Sequence, residues 1–239
     1  RGIDLSPKDA SLRVHLGNFY LAWDKKDKAE TFFKEAADKD SKNIAVLSRL
    51  ADFYITEKKY DEGLKQTENI LKINPKSQEG LLLKGRIFLN RNEFDQALNL
   101  FQSYAKDNPK VAMAHYLIAL AHSGNRNMQQ AKVELGEAIK LNPKWEAARL
   151  LLAEIQLRDG NAAQAIDELN AVLKDNPRSI QAHILLGNAY LAKRNVKDAA
   201  KVFEGLAKIA PNNPVGHTQM GRIMMVQKKE KEGLELFEK

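Results

Sequence analysis

The chain has 239 residues, of which 44% are hydrophobic and 29% are charged, and its formal net charge is +7. This composition excludes a disordered polar tract, which combines low hydrophobicity with extreme charge. No apolar run approaches the roughly 18 residues that a membrane-spanning helix needs, and the absence of cysteine excludes disulfides and thiolate metal ligands.

A proline recurs every 34 residues along the chain. The series is Pro75, Pro109, Pro143, Pro177 and Pro211, and its phase extends back through Ser41 to Pro7. A fixed period in this range is typical of a repeat solenoid. The phase predicts the end of a preceding repeat at 1–9, six complete repeats at 10–43, 44–77, 78–111, 112–145, 146–179 and 180–213, and a partial repeat at 214–239. Because both ends fall inside a repeat, we expect the sequence to be a piece of a longer array.

Each repeat is expected to form two helices. Position 8 of the repeat is always small: Gly17, Ala51, Gly85, Ala119, Ala153, Gly187 and Gly221. Position 20 is also small: Ala29, Gly63, Ala97, Ala131, Ala165, Ala199 and Gly233. Positions 4, 7, 8 and 11 share one face of a helix, and positions 20, 24 and 27 share one face of a second. Polar stretches at 57–62, 91–96 and 158–164 predict the tight turns between them.

The repeated Asn-Pro sequence explains how one repeat gives way to the next. Proline lacks an N–H group and restricts the residue before it to extended conformations. Each Asn-Pro is therefore expected to end a second helix and to turn the chain into the next hairpin.

These features resemble the tetratricopeptide repeat family, whose 34-residue pattern is W-x2-L-G-x2-Y, then A-x3-F, then P. The match is nearly complete in "LLGNAYLAKRNVKDAAKVFEGLAKIAP" at 185–211. The resemblance implies an all-α fold, a right-handed superhelical solenoid of antiparallel helix hairpins. The sequence departs from the pattern at the family's Trp position and at Thr67, Lys84, His122 and Gln156, so local packing is expected to differ there.

The family resemblance also implies a function as a non-catalytic scaffold that binds a peptide or protein in its concave groove. Positions 2, 5, 9 and 12 face the groove in the family. The groove residues predicted on this basis are Asp52, Leu82, Arg86, Leu89, Tyr116, Leu120, Leu150, Glu154, Leu157 and Asn188. The central positions are mainly apolar, which favours an apolar or amphipathic partner segment.

Position 33 carries a base in consecutive repeats, giving a predicted basic edge of Lys42, Lys76, Lys110, Lys144 and Arg178. A cation just past a helix C-terminus interacts favourably with the helix dipole, which is one explanation for the pattern. The alternative is that the bases lie beside the groove and bind an acidic, partly apolar partner, with Trp145 as an aromatic anchor at the rim.

Catalysis and metal binding are not expected. His115, His183 and His217 share position 4, and equivalent positions in adjacent hairpins lie on the order of 10 Å apart, too far for a shared metal. No phosphate-binding loop, HExxH or GxSxG sequence is present. We therefore predict no catalytic residue, no metal ligand and no cofactor.

Three alternatives bear on the partner. The family's chaperone carboxylate clamp needs Lys at position 5 beside Asn at position 9, but Val14 and Ile184 precede Asn18 and Asn188, so that clamp is not expected. Nucleic-acid binding is the second function considered, since related repeats read RNA, although acidic and basic residues are mixed in the groove.

The third alternative is a component of a bacterial envelope machine for secretion or exopolysaccharide export. The lack of cysteine favours the envelope or periplasm over the cytoplasm. Insertion of this segment into a membrane is not expected.

Overall fold

The computed structural model describes residues 9–226 and 228–237, and within them it contains fourteen α-helices and no β-strand. This confirms the predicted all-α fold class. The helices are α1 (Ala10–Ala22), α2 (Lys26–Lys39), α3 (Ile44–Thr56), α4 (Tyr60–Ile73), α5 (Gln78–Asn90), α6 (Phe94–Asp107), α7 (Ala112–Gly124), α8 (Met128–Leu141), α9 (Glu146–Arg158), α10 (Ala162–Asp175), α11 (Ile180–Ala192), α12 (Val196–Ile209), α13 (Pro214–Val226) and α14 (Glu230–Phe237). None of these helices is long and apolar enough to cross a membrane.

The helices have the same lengths in every complete repeat. Each first helix has 13 residues and each second helix has 14. The sequence-based turns were placed too broadly, because only residues 57–59, 91–93 and 159–161 connect helices. The rest of each polar stretch forms the first turn of a second helix, where Asp61, Glu62 and Asp95 are stabilised by the helix dipole.

The connection inside each repeat contains one residue with positive φ at position 15. These residues are Asp24, Lys58, Asn92, Arg126, Gly160, Arg194 and Lys228. In the second repeat, the Lys58 N–H donates to the Ile55 carbonyl and the Lys59 N–H donates to the Tyr54 carbonyl, at 3.1 and 2.8 Å. These two bonds form a Schellman motif, which satisfies the last carbonyls of the helix and reverses the chain.

The Asn-Pro junction ends one repeat and caps the next. The Asn74 side-chain oxygen accepts a bond from the Lys76 N–H at 3.1 Å, and the Asn74 carbonyl accepts one from the Ser77 N–H at 2.9 Å. The Ser77 hydroxyl then accepts a bond from the Gly80 N–H at 3.2 Å, which makes Ser77 the N-cap of α5. Pro75 has no N–H group that this turn would leave unsatisfied. The junction therefore supplies both a helix end and a helix start.

Small and large side chains are matched inside the hairpins. A Cβ atom added to Gly17, Gly85 or Gly187 would lie 2.2–2.4 Å from the ring of Phe33, Phe101 or Phe203, respectively. All three rings are buried. Where position 8 is Ala, position 24 is smaller than Phe: Thr67 accompanies Ala51, and Leu169 accompanies Ala153. The close approach of the two helices thus leaves room for a large residue only opposite glycine.

The chain divides into two compact units, at residues up to Asn127 and from Met128 onward. In the first unit, the second helix of one hairpin packs against the first helix of the next, through contacts such as Ile70 with Gly80. The second unit repeats this arrangement, with the backbone of Ala207 against Gly216. Positions 3 and 10 carry these contacts, and Phe53, Ile87, Ile155 and Ile223 at position 10 are all buried.

The departures from the family pattern are accommodated locally. The buried Thr67 hydroxyl donates to the Leu64 carbonyl at 2.9 Å, and the Lys84 amino group lies 5.8 Å from the centre of the Phe88 ring. Gln156 Oε1 and His122 Nδ1 are buried without a hydrogen-bond partner among the described residues. The predicted local differences in packing therefore appear as buried polar atoms rather than as a change of fold.

Candidate functional site

The first helices α3, α5 and α7 of the first unit enclose an open cavity of about 470 Å³. This is the size range of ligand-binding clefts, roughly 300–1,000 Å³. Residues at positions 2, 5, 6 and 9 line it: Ala45, Ser48, Arg49, Asp52, Glu79, Leu82, Leu83, Arg86, Met113 and Leu117. We refer to this set as the groove.

The walls of the groove are mainly apolar. The buried side chains of Leu83 and Leu117 form the floor of the groove, while Met113 is 43% exposed. Methionine is flexible and polarizable, so it adapts to differently shaped apolar side chains. Ser48 is also part of the wall, and its buried hydroxyl has no hydrogen-bond partner within the described residues.

A charged network occupies one end of the groove. Asp52 accepts bonds from Arg49 at 3.1 Å and from Arg86 at 2.9 Å. Arg49 also donates to Asn18 Oδ1 at 2.6 Å, and its guanidinium lies 4.9 Å from the centre of the Phe33 ring. Arg49 is therefore held by three neighbours, whereas the side chain of Arg86 is 45% exposed and uses one N–H group on Asp52. Two guanidinium charges share a single carboxylate, leaving one positive charge in excess.

Glu79 lies at position 2, two helical turns before Arg86 on α5. It is exposed, and within the part of the chain that the structure describes it has no hydrogen bond or ion pair. The groove therefore has a negative end at Glu79 and a net positive end at Arg86, with Leu82 and Leu83 between them.

The predicted groove residues of the first unit do not all line the cavity. Asp52, Leu82 and Arg86 do. Leu89 and Leu120 instead pack, half-buried, against the core cluster that contains Phe88 and Phe101, and Tyr116 is half-buried. Position 6, which is not among the predicted groove positions, supplies Arg49, Leu83 and Leu117. Leucine occupies this position in four consecutive repeats, which is equally typical of a core position.

In the second unit, the predicted residues lie on α9 and α11. Leu150 and Leu157 are half-buried against the core cluster around Ala153 and Leu169. Glu154 accepts a bond from Gln181 at 3.3 Å, and Asn188 is exposed.

The five predicted basic-edge residues are all exposed. Lys76 lies in a separate concavity with Ser103, Tyr104 and Asp107, outside the groove. Lys144 is 3.6 Å from Asp175, so its charge is partly neutralised. Trp145 is the half-buried N-cap residue of α9, and its side chain makes no capping hydrogen bond.

A cluster of charged side chains joins the first two hairpins. Glu30 accepts bonds from Lys34 at 2.6 Å and from Lys59 at 2.5 Å. Burial acts to raise the pKa of Glu30, but the two lysines outweigh it and hold the pKa below its ordinary value. Burial raises the pKa of the neighbouring Tyr54. The lowered pKa of Glu30 follows from its ion pairs, and the pair with Lys59 ties the two adjacent repeats together.

Two of the histidines, His115 and His183, lie within hydrogen-bonding distance of backbone carbonyls near the starts of their helices. His183 Nδ1 lies 2.9 Å from the Ser179 carbonyl, and His115 Nε2 lies 3.4 Å from the Pro109 carbonyl. Within residues 9–226 and 228–237, no group of three or more His, Asp or Glu side chains could hold a metal ion.

Sequence profiles of the tetratricopeptide repeat match residues 10–43, 54–121, 119–173 and 150–214. The chain belongs to the tetratricopeptide repeat family. The matched residues cover most of the sequence and carry the same 34-residue phase as the helices. No curated protein matches the sequence.

Solved tetratricopeptide repeat structures are similar to this chain in fold. The Cut9–Hcn1 hetero-tetramer of APC/C matches with a TM-score of 0.72 and 18% identity, over 93% of this chain and 44% of that one. A tetratricopeptide repeat protein from Parabacteroides merdae matches with a TM-score of 0.69 and 19% identity, over 96% of this chain and 91% of that one. A thermophilic tetratricopeptide repeat protein of Thermus thermophilus matches with a TM-score of 0.65 and 19% identity, over 77% of this chain and 100% of that one. The chain thus spans less than half of the length of the Cut9–Hcn1 chain that it matches.

Proposed function

We propose that this tetratricopeptide repeat chain is a non-catalytic scaffold that binds an extended segment of a partner protein in the groove. The groove of about 470 Å³ is the observation that carries the proposal. It is apolar at its floor and has charged groups at its ends, the usual composition of a specific binding cleft. The repeat family supports a role in protein interaction.

The partner segment is proposed to place an apolar side chain against Leu82, Leu83 and Leu117. Burying such a side chain contributes on the order of 1.5–3 kcal/mol. Acidic residues elsewhere in the partner would meet the basic edge, where Lys42, Lys76 and Lys110 are exposed. Exposed charges of this kind affect the rate of association more than the final affinity.

The chain is further proposed to act within a multiprotein assembly as part of a longer repeat array. The Cut9–Hcn1 structure supports this setting by analogy of fold, since there the repeat protein lies in a hetero-tetramer. The analogy extends to architecture and not to the identity of the partner.

The test uses a substitution that fills the groove without disturbing the core. Ala45 is exposed and is the second residue of α3, so Ala45→Arg projects a long side chain into the cavity. Peptides selected from a random displayed library against the wild-type chain should bind Ala45→Arg at least about tenfold more weakly, measured by fluorescence anisotropy.

The matched control is Ala163→Arg, because Ala163 is exposed and is the second residue of α10, outside the groove. It should bind the selected peptides like the wild type. Equal binding by Ala45→Arg and Ala163→Arg would place the interaction outside the groove and refute the proposal. Selective binding of RNA at physiological salt, with no peptide selected, would favour the nucleic-acid alternative.

A further inference from the structure

We infer that the groove selects a segment in which one basic and one acidic residue flank an apolar residue. The inference rests on the proposed function and specifies the chemistry of the bound segment. It follows from the opposite charges at the two ends of the groove, which were not apparent from the repeat pattern.

The basic residue of the segment binds Glu79. This carboxylate has no partner within the described residues, and it borders the apolar wall formed by Leu82 and Leu83. A lysine or arginine of the segment would pair with it, and its methylene groups would pack along the wall and on Met113.

The acidic residue of the segment binds Arg86. Asp52 orients the Arg86 guanidinium through one N–H group at 2.9 Å, and the exposed remainder can donate in parallel to a second carboxylate. Because Asp52 is shared with Arg49, it does not neutralise both guanidinium groups. A partner carboxylate completes the charge balance of this end.

The spacing of the two ends sets the spacing of the charges in the segment. Glu79 and Arg86 are seven residues apart on α5, which corresponds to about 10 Å along the helix axis. An extended segment advances about 3.3 Å per residue, so its basic and acidic residues are about three positions apart. The residues between them present the apolar side chain to Leu82, Leu83 and Leu117.

The experiment uses three labelled peptides that share one apolar residue and differ only in the flanking pair: Lys and Glu, Glu and Glu, or Lys and Lys. Binding is measured by fluorescence anisotropy at physiological salt, which screens the long-range attraction of acidic peptides to the basic chain. The wild-type chain should bind the Lys and Glu peptide about fivefold to tenfold more tightly than either of the others.

Charge reversal at Glu79 tests the assignment directly. Glu79→Lys should reverse the preference, so that the Glu and Glu peptide binds most tightly. Glu62→Lys is the matched control, because Glu62 is also exposed and also lies in the first turn of its helix, but outside the groove. Circular dichroism melting of both variants checks that the fold is retained.

The results separate the inference from the proposed function. Binding of all three peptides within about twofold, abolished by Ala45→Arg, would overturn the inference and leave the groove as the binding site. The same preference in Glu79→Lys and Glu62→Lys would also overturn it. If no peptide binds at about 1 mM and none is selected from the library, both the inference and the proposed function fail.

Discussion

The glycine at position 8 has no room for a side chain where phenylalanine occupies position 24. A Cβ atom at Gly85 would lie 2.2 Å from the Phe101 ring, far inside van der Waals distance. We expect Gly85→Ala to lower the free energy of unfolding by roughly 1–3 kcal/mol through overpacking. Phe101→Leu should recover part of this loss, so that the double variant is more stable than the sum of the two single changes predicts.

Denaturant unfolding of the four proteins of this cycle measures the coupling. Gly136→Ala is the control, because Gly136 lies within α8 and nothing comes within 4 Å of an added Cβ atom. There the same change should raise stability by about 0.5–1 kcal/mol, since alanine is the better helix former. Equal effects at Gly85 and Gly136 would show that ring contact is not the constraint.

Glu30 makes the stability of the first hairpins depend on pH. Its pKa in the folded chain is held below its ordinary value, so its ion pairs stabilise the folded state above about pH 4.5 and are lost as the pH falls through the lowered pKa. Glu30→Gln should therefore lower the free energy of unfolding by about 1 kcal/mol at pH 7 and leave it unchanged below the lowered pKa of Glu30. Unfolding curves collected across this range test the sign.

The control for Glu30 removes the two cations instead. In a Lys34→Met/Lys59→Met background, the destabilisation by Glu30→Gln at neutral pH should disappear or reverse sign, because burial alone then acts on the carboxylate and raises its pKa. If the free energies of unfolding of the wild type and Glu30→Gln differ by the same amount from pH 3 to pH 7, the effect comes from packing and not from the ion pairs.

At the scale of the helix, N-caps differ among otherwise equivalent repeats. Ser77 caps α5 through its hydroxyl, whereas Val111 precedes α7 without a side-chain cap. Ser77→Ala should lower stability by about 1 kcal/mol, and Val111→Ser should raise it by roughly 0.5–1 kcal/mol. Thermal melts compare the pair; a stabilising effect of Ser77→Ala would be incompatible with the capping bond.

The sequence predicts the helices well because small residues, large residues and prolines recur at fixed positions. It fails where a contact depends on the neighbouring repeat. Position 10, represented by Phe53 and Ile87, packs against the preceding hairpin, and this was not evident from the face analysed within one hairpin. Leu89 and Leu120 were predicted as groove residues from family positions, and those positions do not reveal how deeply adjacent helices bury them. The opposite charges at the Glu79 and Arg86 ends of the groove also depend on the ion pair between Asp52 and Arg86, which only the structure shows.

Within each compact unit, coupling between repeats should be local because each hairpin packs on its sequence neighbours. Phe203 is completely buried between α11, α12 and their neighbours in the second unit. Phe203→Leu should cost about 1 kcal/mol or more, since it leaves a gap opposite Gly187. Hydrogen exchange should become faster in α11, α12 and α13 and should be unchanged in α1–α4. Faster exchange throughout the chain would instead indicate a single cooperative unit.

The matched sizes at positions 8 and 24 have a consequence for folding fidelity. A chain of near-identical hairpins risks pairing the first helix of one repeat with the second helix of the next. The first repeat combines Gly17 with Phe33, the second combines Ala51 with Thr67, and the third combines Gly85 with Phe101. A mismatched pair of Ala51 with Phe101 would clash, and Gly17 with Thr67 would leave a void, so side-chain volume disfavours mispairing among these three repeats. Making these three pairs alike should therefore reduce the yield of correctly refolded chains.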